Sequence, residues 1–222
     1  MRLTGSGSLN AVGWTAVSAG KGGKVTVTNI QTVGDSWKFG ADADGAGSVI
    51  TVLGNITSGG CGAYAHNGGT VNVNGNITLV GTSSGDVGAW ATDANSNITV
   101  NGAINLPAGS VYVRLGNTNR TKESGVLSTF KPGHLEYVSG TNTVWVKIPN
   151  YYDVQTSQQL TTALNAINAL PAGDSGYIRL LDNITHNSGI AFSGKTVTFN
   201  TNGKKLDVVL FRKINVDKLY QI

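Results

Sequence analysis

Charge is scarce in this chain: Asp, Glu, Lys and Arg make up 13% of its 222 residues, about half the share of an ordinary soluble domain. Proline is scarcer, at 4 residues, and Cys61 is the one cysteine. Each shortage excludes something. Disordered chains are usually highly charged and rich in proline, so this composition belongs to a folded chain. A single cysteine rules out an internal disulfide. No apolar run approaches the ~20 residues of a membrane helix, so membrane insertion is not expected. Residues 1–10 (MRLTGSGSLN) lack the apolar core of a signal peptide. That leaves a cytosolic protein or an excised piece of a longer exported one, and the second is the expectation here. Net charge is +4, but Lys204, Lys205, Arg212, Lys213 and Lys218 crowd one end. A nucleic-acid surface needs a basic face interleaved with aromatics, so this reads as a solvated tail, and no nucleic-acid partner is expected.

What the chain has is glycine, 31 residues of it, together with much Thr, Val and Asn. Gly and Asn tolerate positive φ in tight turns, while Thr and Val suit a pleated surface. These residues recur in order. Residues 25–30 (VTVTNI), 50–56 (ITVLGNI), 71–77 (VNVNGNI) and 98–104 (ITVNGAI) each open with apolar/polar alternation and end in isoleucine. Ile30, Ile56, Ile77 and Ile104 are 26, 21 and 27 residues apart, a solenoid period. A second element, GADA at 40–43, GAYA at 62–65 and GAWA at 88–91, precedes the Val/Ile strand by a turn. Each coil therefore reads as a short strand, a Gly/Asn turn, a longer strand and a glycine bend. Alternation puts Val71 and Val73 on one face and Asn72 and Asn74 on the other. Stacked coils, ~4.8 Å apart, bury the apolar columns that no single coil can bury alone. This reading requires Val73 and Val100 to be neighbours in adjacent layers. Insertions such as 81–86 (GTSSGD) fall at corners, where length costs little.

After residue 110 the pattern changes. Residues 111–115 read as a strand, 116–125 are polar, and 133–137 with 143–147 read as a hairpin about 139–142. Residues 156–170 are the one helical segment: Leu160, Leu164, Ile167 and Leu170 keep helical spacing, Thr156 and Gln159 form a capping box, and Pro171 and Gly173 end it. Strand signals resume at 177–181, 182–185, 190–192, 196–199 and 206–211. The expected fold is thus all-β, a right-handed parallel β-helix (β-solenoid) with one short amphipathic helix near 156–170. Its expected division is a repeat array with closing hairpin at 1–149 and, at 150–222, the helix-capped start of a second, truncated β-helix.

No P-loop, dinucleotide or G-x-S-x-G motif occurs. The loop at 20–23 (GKGG) has no helix after it. Polysaccharide-cleaving β-helices need clustered carboxylates or bound calcium. Asp42 and Asp44 share a strand face, but the next coils carry Tyr64 and Trp90 where a carboxylate ladder would continue. Asp86 and Asp93 fall in turns, where Asp bonds its own backbone. His66, His134 and His186 lie in separate regions without metal spacing, and Cys61 reads as a small buried strand residue. Asn55, Asn76, Asn97 and Asn183 each open an Asn-Ile-Thr triplet, and at Asn55 and Asn76 stacked side chains would bond along the solenoid axis. No catalytic residue, metal or cofactor is expected. The ligand-binding candidates are Trp14, Tyr64 and Trp90, read as one position in successive coils. If the flanking alanines face inward, the rings face out, where they would contact sugar rings or a partner. The opposite arrangement, rings in the core and alanines outside, fits the same alternation and is the favoured one, since aromatic side chains usually stabilise by burial.

The run GGTVNVNGNIT, with GAYA before it and GAWATDANSNITVNGAI after it, resembles repeats of large surface proteins of Gram-positive bacteria, often anchored through S-layer-homology or cell-wall-sorting segments. GHLEYVSGTNTVWVKIP is similar to the segment closing such arrays. QTSQQLTTALNAINALPAGDSGYIRLLDNIT with SGKTVTFNTNGKKL is similar to the helix-capped start of β-helix modules. The likeness spans roughly residues 20–207, and 208–222 resemble nothing known. It implies a non-catalytic extracellular structural or adhesion module, part of a larger exported protein at the cell surface, with weak contact to a glycan or to a host or envelope surface. Two alternatives stand beside it: a polysaccharide-active or carbohydrate-binding β-helix protein, and a phage tail fibre or spike segment, which would have to trimerise. Solenoid ends expose unpaired strands, so end-to-end self-association is a further expectation.

Overall fold

A computed structural model describes residues 8–11, 13–32, 34 and 38–209. The chain separates into two compact units, 1–148 and 149–222. The first is a parallel β-solenoid of five coils, each contributing one strand to each of three parallel stacks. One stack holds Ser8–Ala11, Asn29–Thr32, Ile56–Ser58, Ile77–Leu79 and Ile104–Asn105. The next holds Thr15–Gly20, Phe39–Asp44, Cys61–His66, Val87–Ala91 and Val111–Leu115. The last holds Lys24–Val27, Val49–Val52, Thr70–Val73, Asn97–Val100 and Asn142–Lys147. Val73 pairs with Val100, and Ile30, Ile56, Ile77 and Ile104 pair coil to coil. These aliphatics, with the alanines of the second stack, form one continuous core.

Each coil has three strands where the sequence pattern gave two. Ile77 does not end the strand of Val71 and Val73; it begins a three-residue strand of another stack. The corner between them explains the glycine two residues before the isoleucine. A side chain at Gly75 would strike the Asn55 carboxamide and the Gly54 backbone beneath it. That carboxamide is occupied: Asn29 Oδ1 accepts the Asn55 N–H, Asn55 Oδ1 the Asn76 N–H, and Asn76 Oδ1 the Ala103 N–H, each at 2.8 Å. The ladder therefore runs from side chain to backbone, not from amide to amide, and satisfies corner donors that no strand reaches. Asn97 stands outside it, at a strand start, with Nδ2 on the Asn95 carbonyl at 2.9 Å.

Within the fifth coil, between its second and third strands, the parallel pairing gives way to antiparallel strands. Thr118–Arg120 folds back on Val111–Leu115, and His134–Ser139 pairs with Asn142–Lys147 through the turn at Gly140, with Val126–Leu127 outside it.

The second unit has its own core, in which Leu160, Ala163, Leu164 and Ile167 of the helix Ser157–Asn168 meet Val154, Ile178, Leu180 and Ile184. Thr156 caps the helix by accepting the Gln159 N–H at 3.2 Å. The Gln159 side chain reaches one residue further back than a capping box requires and takes the Gln155 N–H at 2.8 Å. Tyr151–Val154, Ser175–Leu180 and Thr196–Asn200 form one parallel sheet, and Ile184–His186 pairs with Leu206–Val208. Asn183 repeats the corner motif, accepting the Lys205 N–H at 2.8 Å. Lys204 and Lys205 are exposed, and Lys205 meets Asp207 at 3.0 Å. Arg212, Lys213, Lys218 and the strand end at 210–211 lie outside the described residues.

Candidate functional site

The alternation in the second stack has a definite sense. Ala41, Ala43, Ala63, Ala65, Ala89 and Ala91 are fully buried. The residue between each pair therefore points outward, and the register aligns Ser18, Asp42, Tyr64, Trp90 and Arg114 in one outer column. The rings face out and the alanines face in. The reason is room: side chains at Gly40, Gly62 or Gly88 would run into Ile56, Ile77 or Ile104. The isoleucines of the first stack thus close on this strand at its glycines, and the core beside them holds the alanines.

Trp14 does not join this row. Ser18 holds the aligned position in the first coil, and Trp14 lies in the bend before its strand, 72% exposed, with the Lys38 ammonium 5.7 Å from its ring. The Gly-Ala-X-Ala signature that places Tyr64 and Trp90 is missing around Trp14.

Around Tyr64 the outer face is densely aromatic. Its ring centroid is 4.8 Å from Trp90, 5.3 Å from Phe39 and 4.5 Å from the imidazole of His66, stacked at 14°. Trp90 is fixed by its Nε1–H, donated to the Gly116 carbonyl at 3.0 Å, and the Arg114 guanidinium lies 4.9 Å from its ring. Arg114 is steadied by donating Nε–H to Asn119 Oδ1 at 2.8 Å. At the other end, His66 Nδ1 lies 3.2 Å from the Asn67 amide, and with that nitrogen as acceptor, Nε2–H donates to Asp42 Oδ1 at 3.0 Å. Asn67 also donates to Asp44 Oδ1 at 2.9 Å. Burial pushes the Asp42 carboxyl up against the opposing pull of His66. Burial, reinforced by the Asp42 charge, also raises the Tyr64 phenol, which stays neutral at ordinary pH.

Beside this row the 81–86 insertion creates a cleft of about 350 Å³. Cys61, Val87 and Phe39, the strand-leading residues before each coil's glycine, contribute its apolar lining, with Trp90, Arg114 and residues 83–86 completing it. Asp86 is 4% exposed and turned into its own loop, where Oδ2 accepts the Ser83 N–H at 3.1 Å. Cys61 is buried, and desolvation drives its thiol far above the ordinary range. Among the described residues no group of three or more His, Cys, Asp or Glu side chains is placed to hold a metal ion.

Sequence reasoning missed Phe39, His66 and Arg114 as members of this surface. A signal for Arg114 existed: Val113-Arg-Leu115 is a fifth turn of the same in-out-in alternation. It also missed an outer face in the second unit, where the Tyr151 and Tyr177 rings stack at 5.4 Å and Arg179 grips Asp153 at 2.7 and 2.8 Å. His134 and His186 take structural bonds, to Asn101 Oδ1 at 3.0 Å and Ser157 Oγ at 2.9 Å. Compared with family models, curated proteins and solved structures, the chain matches none of them.

Proposed function

We propose that this chain is a non-catalytic structural and adhesion module of an extracellular, cell-surface protein, a stiff solenoid spacer that touches glycans through the outer face of its second stack. The observation that carries the reading is the outward pair Tyr64 and Trp90, with Phe39 packed against Tyr64, beside a cleft of about 350 Å³. Half-buried aromatic rings flanked by hydrogen-bonding groups suit sugars, whose rings offer both apolar C–H faces and hydroxyls. A glycan array probed with the intact chain tests it. Binding is expected, and Tyr64→Ala and Trp90→Ala should each weaken it about tenfold or more, the loss of one well-packed contact worth ~1.4 kcal/mol. Binding that survives both substitutions would remove the row from the site.

A second reading, a polysaccharide-active enzyme, draws on one observation. Asp42 is a carboxyl raised by burial and hydrogen-bonded to His66, the kind of perturbed group that acid–base chemistry uses. Cleavage of acidic or neutral polysaccharides, lost in Asp42→Asn, would favour it over the spacer.

A further inference from the structure

The cleft beside the aromatic row is lined by one cation, Arg114, and one carboxylate, Asp86, and the two form no ion pair. Asp86, the one carboxylate in its lining, is turned away into the 83–86 loop. Arg114 keeps one contact through Nε to Asn119 and rests on Trp90. Among the described residues its guanidinium has no carboxylate partner; the ion pairs there involve His66, Arg179 and Lys205. The cleft thus presents a cation held on two sides, by an amide and by an indole face, with apolar surface from Phe39, Cys61 and Val87 alongside.

A guanidinium is a planar fork that matches a carboxylate with two parallel hydrogen bonds. Its orientation is already set here, so little further ordering is lost on binding. An aromatic wall beside such a fork suits a pyranose whose ring stacks while its carboxylate turns to the arginine. Resting on the glycan reading above, we propose that the cleft binds a carboxylate-bearing sugar, a uronic acid residue of an acidic glycan, with Arg114 as the specificity-determining group. Trp90 and Phe39 supply sequence-tolerant contact with the ring, and Arg114 distinguishes charged from uncharged residues.

The test is calorimetric titration of the full chain with an oligoglucuronate and with the same oligosaccharide after reduction of its carboxyl groups. The charged form is expected to bind at least tenfold tighter, and that preference should shrink as salt rises. Arg114→Gln should abolish the preference, so that the charged and reduced forms bind within about twofold of each other. Arg114→Lys should keep part of the preference, since a point charge replaces the fork. Equal affinity of the wild type for both oligosaccharides overturns the proposal and leaves the glycan reading standing. So does tighter binding of a phosphorylated oligosaccharide of the same length. Failure to bind either oligosaccharide, on a chain that binds other glycans on the array, overturns it too; failure to bind any glycan removes both. Should Arg114→Gln not fold, the wild-type comparison of charged and reduced forms decides alone.

Discussion

At the scale of single residues, this protein assigns unusual positions to ordinary side chains. Cys61 is an example: a lone cysteine at the head of a strand, buried beneath the cleft, with its Sγ 3.6 Å from the Ala63 carbonyl. The thiolate is the reactive form, and desolvation suppresses it here. A disulfide reagent at pH 8 is therefore expected to modify the native chain at least an order of magnitude more slowly than the urea-unfolded chain. Fast native labelling would mean that the cleft floor opens readily. The buried character of Cys61 was legible in the sequence, because its place before Gly-Ala-Tyr-Ala makes it a strand residue. The outward direction of Tyr64 was not. Alternation fixes that neighbours point to opposite faces but not which face is the core, and that answer came from isoleucines on another strand.

At the scale of the element, the glycine column of the second stack is the critical feature. Gly40, Gly62 and Gly88 are needed for close approach, since a methyl at Gly62 would meet the Ile77 side chain and the Gly88 carbonyl. Gly62→Ala should cost about 1–3 kcal/mol by overpacking, read as a lower urea midpoint with unchanged slope. Gly85→Ala provides the comparison, because nothing stands within 4 Å of its added carbon; it should stay within about 0.5 kcal/mol. Equal effects would mean that the corner relaxes freely. The sequence marked these glycines through their period. It could not separate a glycine required for a turn from one required for close packing, since both look alike in one dimension. For the same reason the three-residue strand Ile77–Leu79 went unseen: so short an element shows no alternation of its own.

At the scale of the whole molecule, the two units answer to different forces. The first is held by aliphatic columns and corner amides, and the described ion pairs within it involve His66 alone. The second carries an arginine–carboxylate pair on its outer sheet. Burial alone would raise the Asp153 carboxyl, but the Arg179 fork and the Tyr151 hydroxyl outweigh it and hold it below its ordinary 3.8. A lowered folded value adds stability that is complete above the unfolded carboxyl's value and vanishes as pH falls through the folded one. The second unit should therefore lose stability below pH 3.8, and Asp153→Asn should flatten that loss. The effect should lie within the about 0.2–1 kcal/mol of exposed pairs. Thermal melts from pH 5 to strongly acid conditions measure it, and identical slopes for both proteins would contradict the pairing.

What the sequence determined by itself was the solenoid: its period, its apolar columns, its closing hairpin and its single helix. Those follow from local rules, the two-residue period of strands, the helical spacing of Leu160, Leu164 and Ile167, and the turn chemistry of Gly and Asn. What only the tertiary structure decided was the sense of the second stack, the third strand of each coil, and the meeting of Phe39, Trp90 and Arg114 around one cleft. Those depend on which residues, dozens of positions apart, come to lie within one layer spacing of each other, and a linear pattern carries no record of that distance.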